Sequence, residues 1–255
     1  LIEYAQERIK SKRRLFYHFS IMLIGSSSML IANLLFDFKA DYIFFNYPWS
    51  YWLCILWLAL LFYHVFNVYI KNCLVEAGVC ITKTKNGLKT DPYSSSWLKC
   101  AAYFLADAIS TLNFHRPSPV HMLKMLREFS KNKTNELVSP ITESIGIERA
   151  TPSLLSRMLK STIGFSDLVE NNSHSKIISQ KYHYMIENSL FSDCYFYLGH
   201  INRDNFKKIQ DLHRKPELIH ILKTGFDLES DITKIESEAN KLQQVTNSLL
   251  TFSHE

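Results

Sequence analysis

Two uninterrupted apolar runs dominate the N-terminal part of the chain, Phe16 to Phe36 and Trp49 to Ile70. Each is about 21 residues long without a charged side chain, the length of helix needed to cross a ~30 Å hydrocarbon core. The link between them, Asp37 to Pro48, leaves room only for an antiparallel return. The pattern predicts a transmembrane helical hairpin over 16–70, preceded by a basic juxtamembrane helix over 1–15. No comparable run follows Lys71.

Beyond the second run the period changes. Val79 to Asp91 holds Asn86-Gly87 between Cys80 to Thr84 and Leu88 to Thr90, which reads as a small β-hairpin or as a polar linker within 71–95. Trp97, Ala101, Phe104, Leu105, Ala108 and Leu112 then follow a 3.6-residue period and predict a helix over 96–113. Ser118-Pro119 and Thr151-Pro152 each supply an N-cap followed by proline at the first helical position. They predict helices to about Asn132 and Val169, with a shorter helix interrupted by Pro140 between them. Ile177 to Leu212 reads as one long helix or two consecutive ones, and Pro216 opens a short helix ending near Gly225. Leu228, Ile232, Ile235, Ala239, Leu242, Thr246 and Leu249 form a heptad-like seam that either packs in-chain, the favoured reading, or pairs with a partner chain. The fold class is therefore all-α: a two-helix transmembrane hairpin followed by a cytosolic helical bundle over 96–255.

Composition agrees with that division. Seven Gly and seven Pro in 255 residues are few, which favours helices over a turn-rich β architecture. Removing the membrane part leaves roughly 180 residues, enough to bury a core. The net charge of +5 matters less than its placement. Arg8, Lys10, Lys12, Arg13 and Arg14 precede the first run, and Lys71, Lys83, Lys85 and Lys89 follow the second. The link carries only Lys39, offset by Asp37 and Asp41, so both termini are expected on the cytoplasmic side. The first run is long and lacks a small-residue cleavage site, so a membrane span is expected in place of a cleaved signal. Leu1 stands where Met is usual, as expected of a chain whose opening residues are missing.

Chemistry is sparse by comparison. Cys54, Cys73, Cys80, Cys100 and Cys194 show no CxxC spacing and read as free thiols. His115, His121, His174, His183, His200, His213 and His220 show no metal-ligand spacing, and no metal or cofactor is expected. P-loop, GxGxxG, HExxH and GxSxG patterns are absent, and the isolated SxxK at Ser173 to Lys176 has no supporting motif. A catalytic role is not expected. Tyr182 to Tyr197 is rich in aromatics that can stack bases, but Lys207, Lys208, Arg214 and Lys215 make the better basic patch, further along.

Polar residues inside the runs are the more informative set. His18, Gly25, Ser26 and Asn33 share a helix face of the first run, and His64 and Asn67 lie one turn apart in the second. The antiparallel return puts His18 and His64 at similar depth. Such groups either only hold two helices together or line an oligomeric pore or sensor. The order of the basic cluster, Phe16, His18, Asn33, the Trp49 to Trp52 aromatics, Trp57 and His64 resembles the bacterial two-transmembrane-helix domain over Ala5 to Ile70. Gly25 to Ser28 departs from the branched aliphatic run usual there, which bears on how closely the helices pack.

That family is a hairpin fused to histidine kinases, to DNA-binding response modules and to effectors of anti-phage systems including retrons. The resemblance implies a membrane effector of an anti-phage system in the bacterial inner membrane, contacting lipid and forming homo-oligomers. It also implies a protein or nucleoprotein inhibitor, such as a reverse transcriptase with its RNA–DNA product. The alternative is a membrane-anchored sensor or adaptor whose hairpin is only a tether.

Overall fold

A computed structural model describes residues 13, 16–28, 31, 43–44, 47–113, 118, 120–130, 135–170, 174–209, 217–228 and 230–252. These are helical apart from turns and a minimal strand pair, β1 (Ile43–Phe44) and β2 (Tyr47–Pro48). The strands run antiparallel, with Ile43 opposite Pro48 and Phe44 opposite Tyr47. The chain divides into two compact units, Leu1–Asn72 and Cys73–Glu255.

The N-terminal unit contains α1 (residues 16–28) and the first part of α2 (Trp49–Gly87). The second part of α2 belongs to the C-terminal unit, so the helix continues well past Ile70, where the apolar run stops. The β-hairpin considered around Asn86-Gly87 does not form, and Cys80 to Thr84 lie inside α2. Leu74, Ala77, Cys80, Ile81 and Thr84 recur at three- and four-residue steps and are all buried. Burying that stripe outweighs the local β character of the sequence.

The C-terminal unit is built around α3 (Ser94–Leu112), which is buried almost throughout. Packed on it are α4 (Met122–Ser130), α5 (Asn135–Ile145), α8 (Phe191–Ile209) and α10 (Ile232–Phe252). A second group gathers on α6 (Pro152–Glu170), which touches α7 (Ser175–Glu187), α8 and α9 (Glu217–Gly225). A 3₁₀ turn at Ile147–Arg149 joins α5 to α6. Pro140 lies inside α5 without ending it.

Local chemistry accounts for several boundaries. The Thr151 hydroxyl accepts the Leu154 N–H at 3.4 Å, the N-cap that its sequence position predicts. The stretch over 177–212 divides into two helices because Ser189 adopts a left-handed φ of 56°. There the Leu190 N–H reaches back to the Met185 carbonyl at 2.8 Å and closes α7. Pro119 and Pro216 lie outside the described residues, and α4 starts at Met122, after a turn in which its N–H meets the Ser118 carbonyl.

The C-terminal seam is turned inward. Ile235, Ala239, Leu242 and Leu249 are buried, and α10 packs on α3 and α5 of the same chain. Ile232 remains 45% exposed and Leu228 is half-buried. Ile235, Leu242 and Leu249 thus serve this chain's own core, the favoured of the two readings, and add to its apolar burial.

Candidate functional site: an apolar helix pair and a buried polar seam

In the N-terminal unit α1 and α2 meet through residues of the polar stripe. The His18 and His64 rings lie 5.0 Å apart between centroids, tilted by 36°. A Cβ added at Gly25 would come within 2.6 Å of the Trp57 ring. His18 and Gly25 are separated by the same two helical turns as Trp57 and His64, so the helices lie side by side in opposite directions. Gly25 is what lets the indole approach, so the departure from a branched run at Gly25 to Ser28 permits close contact. Ser26 and Asn67 are half-buried with them, and Asn33 lies outside the described residues.

The remaining surface of these helices is apolar and uncovered. Phe16, Ile24 and Phe62 are each 66–67% exposed, and Ile21, Ile55, Leu56, Leu58 and Leu60 also face outward. A continuous apolar surface of this kind calls for lipid or a partner. Among the described residues one helix is long and apolar enough to cross a membrane, over Trp52–Gly87. Of the basic cluster, Arg13 is helical and exposed, and Arg8, Lys10, Lys12 and Arg14 lie outside the described residues.

The C-terminal unit contains a feature the sequence reading missed. Lys99, Tyr103 and Asp107 stand at four-residue steps on α3 and face Tyr195, Gly199, His200 and Arg203 on α8. Lys99 Nζ donates to the Ile145 carbonyl at 2.7 Å, and the Tyr195 hydroxyl donates to the same oxygen at 3.1 Å. That one Tyr195 proton is shared with Asp227, whose carboxylate lies 3.0 Å from the hydroxyl, and Arg149 Nε stands 3.1 Å from the same carboxylate as an ion pair. The Tyr103 phenol seats on Gly199, where any Cβ would overlap it. Arg203 pairs with Asp107, and His200 Nε2 lies 3.3 Å from the other carboxylate oxygen. Arg203 also stacks 4.7 Å over Phe104, and Lys207 pairs with Glu76 on α2 at 2.9 Å.

Electrostatics follow from this placement. Burial alone would raise the Asp107 carboxyl, but Arg203 and His200 outweigh it and hold it below the usual carboxylate range. Burial lowers the Lys99 ammonium to about 7, assisted by the nearby Arg149 charge and opposed by Asp227 and Glu238. Burial pushes the Cys194 thiol up to about 12, an unreactive state.

The Asp107–His200 contact has the form of a carboxylate orienting an imidazole, but the other imidazole nitrogen faces Asp204 at 3.6 Å and not a nucleophile. Two clefts of about 500 and 510 Å³ are lined by other residues, the first by Arg127, Thr142 and Glu148, the second by Lys89, Lys223 and Ile232. The seam therefore joins helices internally. Among the described residues no three His, Cys, Asp or Glu side chains come together in one place. Ser173 of the SxxK pattern lies outside the described residues, and the Ser175 hydroxyl bonds Asp167.

The nucleic-acid features change meaning. Tyr182, Tyr195, Phe196 and Tyr197 are buried core residues, which leaves Tyr184 as the exposed ring of that set. Lys207 is committed to Glu76, and Arg214 and Lys215 lie outside the described residues. The seam itself was legible: Lys99, Tyr103 and Asp107 recur one turn apart in the otherwise apolar stretch Trp97 to Ile109, and His200 and Asp204 are spaced i,i+4.

Residues 3–79 match the family model for the 2TM domain, which agrees with a two-transmembrane-helix domain at the N-terminus. With its apolar helix, this match makes the chain a membrane-associated protein. No curated protein and no solved structure matches the chain.

Proposed function

We propose that the chain is a non-enzymatic membrane effector of a bacterial anti-phage system of the retron kind. The apolar pair is read as a transmembrane hairpin in the inner membrane, with both termini cytoplasmic. A protein or nucleoprotein partner, such as a reverse transcriptase with its RNA–DNA product, holds it inactive. On release the hairpins assemble, disrupt the membrane and arrest growth. The observation that carries this reading is the helix pair itself: an apolar, exposed outer surface around a polar contact of His18 with His64. Two helices cannot enclose a channel alone, so disruption requires several copies.

Expression of the chain alone and with its neighbouring genes, followed by a membrane-potential dye, tests the proposal. Depolarisation should accompany growth arrest when the partner is absent or triggered, and arrest at unchanged potential would reject membrane disruption.

A sensor or adaptor is the second reading, favoured by the densely packed unit from Cys73 onward, which is larger than the membrane part. Exchanging the region through Ile70 for an unrelated two-span hairpin separates the two readings. An effector loses activity, whereas a tethered adaptor keeps it.

A further inference from the structure

The geometry points to a binding site for a divalent transition-metal ion of the zinc class between His18 and His64, clipping α1 to α2. The two imidazoles come from different helices and meet at 5.0 Å between ring centroids. A metal–nitrogen bond of about 2.0–2.1 Å puts each ring centroid about 3.2 Å from a shared ion. A tetrahedral angle then separates the centroids by about 5.2 Å, and a right angle by about 4.5 Å. The observed spacing falls between these values, the separation expected of two rings that share one ion.

Three further features suit the site to this ion. His18 lies two residues inside the end of the first apolar run that follows the basic cluster, so a hydrated ion reaches the pair from that end. The approach of the two helices is fixed two turns away, where Gly25 receives the Trp57 ring, so the imidazoles are held near one another before any ion arrives. The ligands are both imidazole nitrogens, which favour zinc, copper and nickel over calcium or magnesium. Two protein ligands leave the other coordination positions to water, the pattern of an exchangeable ion and not of a closed structural site. The proposal rests on the contact between the rings and does not depend on the effector reading.

The test uses the full chain in detergent micelles, with zinc titrated against a chromophoric zinc indicator. The wild type should withdraw one equivalent of zinc per chain from the indicator. His18→Ala and His64→Ala should each lose that equivalent, as should His18→Gln, which preserves polarity and approximate size and so protects the fold. His121→Ala, on the exposed turn before α4, should keep it. Full zinc uptake by either His18 variant or by His64→Ala, or no competition by the wild type, would overturn the site.

Discussion

Lys99 places an ammonium group inside the core of the C-terminal unit, where its Nζ donates to the Ile145 carbonyl. Burial, with Arg149 nearby, lowers it from 10.5 to about 7 in the folded protein. Between those values the unfolded chain holds a proton that the native one lacks, so stability rises with pH across that window and levels off below about 7. Replacing Lys99 by Met removes this dependence. The unfolding free energy of the wild type relative to Lys99→Met should increase by up to about 1.4 kcal/mol per pH unit between pH 7 and 8.5. Denaturant titrations in micelles at the two pH values measure it, and a difference independent of pH would mean that Lys99 titrates normally.

Asp107 presents the opposite sign, since it is charged and paired in the fold. Asp107→Asn leaves the Arg203 guanidinium buried, with Asp204 as its remaining carboxylate at 2.8 Å. Loss of one partner of a buried pair costs roughly 3–5 kcal/mol, and Asp204 should hold the effect to the lower end. Pairing Asp107→Asn with Arg203→Met in a double-mutant cycle checks this, because the double variant should lose less than the two single losses combined. These residues stood in plain view in the sequence, where the 3.6-residue period marked only the apolar positions of α3. Their partners on α8 lie nearly a hundred positions away, and only the fold pairs them.

The elements were legible where a local signal decides them and obscure where tertiary burial does. Thr151 and Pro152 mark the start of α6 because capping is a matter of neighbouring residues. Asn86-Gly87 suggested a turn between strands, but the stripe from Leu74 to Thr84 is buried in the folded unit and carries α2 onward. The seam of α10 was correct in its spacing and ambiguous in its partner, since a heptad pattern specifies a face and not what covers it. With that face on α3 and α5, Leu242→Ala should lower stability by about 2–5 kcal/mol. Light scattering should find the oligomeric state unchanged; a shift in mass would return the seam to a role between chains. For the α1–α2 pair, Gly25→Leu drives a side chain into the Trp57 ring. In a chain carrying cysteines in place of His18 and His64, oxidative cross-linking should form readily and fall severalfold when Gly25→Leu is added.

At the scale of the whole molecule, charge and apolar surface together imply an orientation that neither implies alone. The exposed apolar faces of α1 and α2 run without a charge along Phe16 to Ser28 and Trp49 to Ile70. In the sequence Arg8 to Arg14 precede the first run and Lys71 follows the second, so an antiparallel return would put both sets of charges on one side. The opposite end has Lys39 between Asp37 and Asp41, with no surplus of positive charge. Positive residues near spans stay on the cytoplasmic side, so the Asp37 to Pro48 link should face outward and the C-terminal unit inward. A cysteine introduced at Asn46, with Cys54 replaced by Ser, should react with an impermeant maleimide on intact spheroplasts. One introduced at Ser248, half-buried on α10, should react only after the membrane is permeabilised. Labelling of Ser248→Cys on intact spheroplasts would reverse the orientation, and with it the side from which any partner reaches the helical unit.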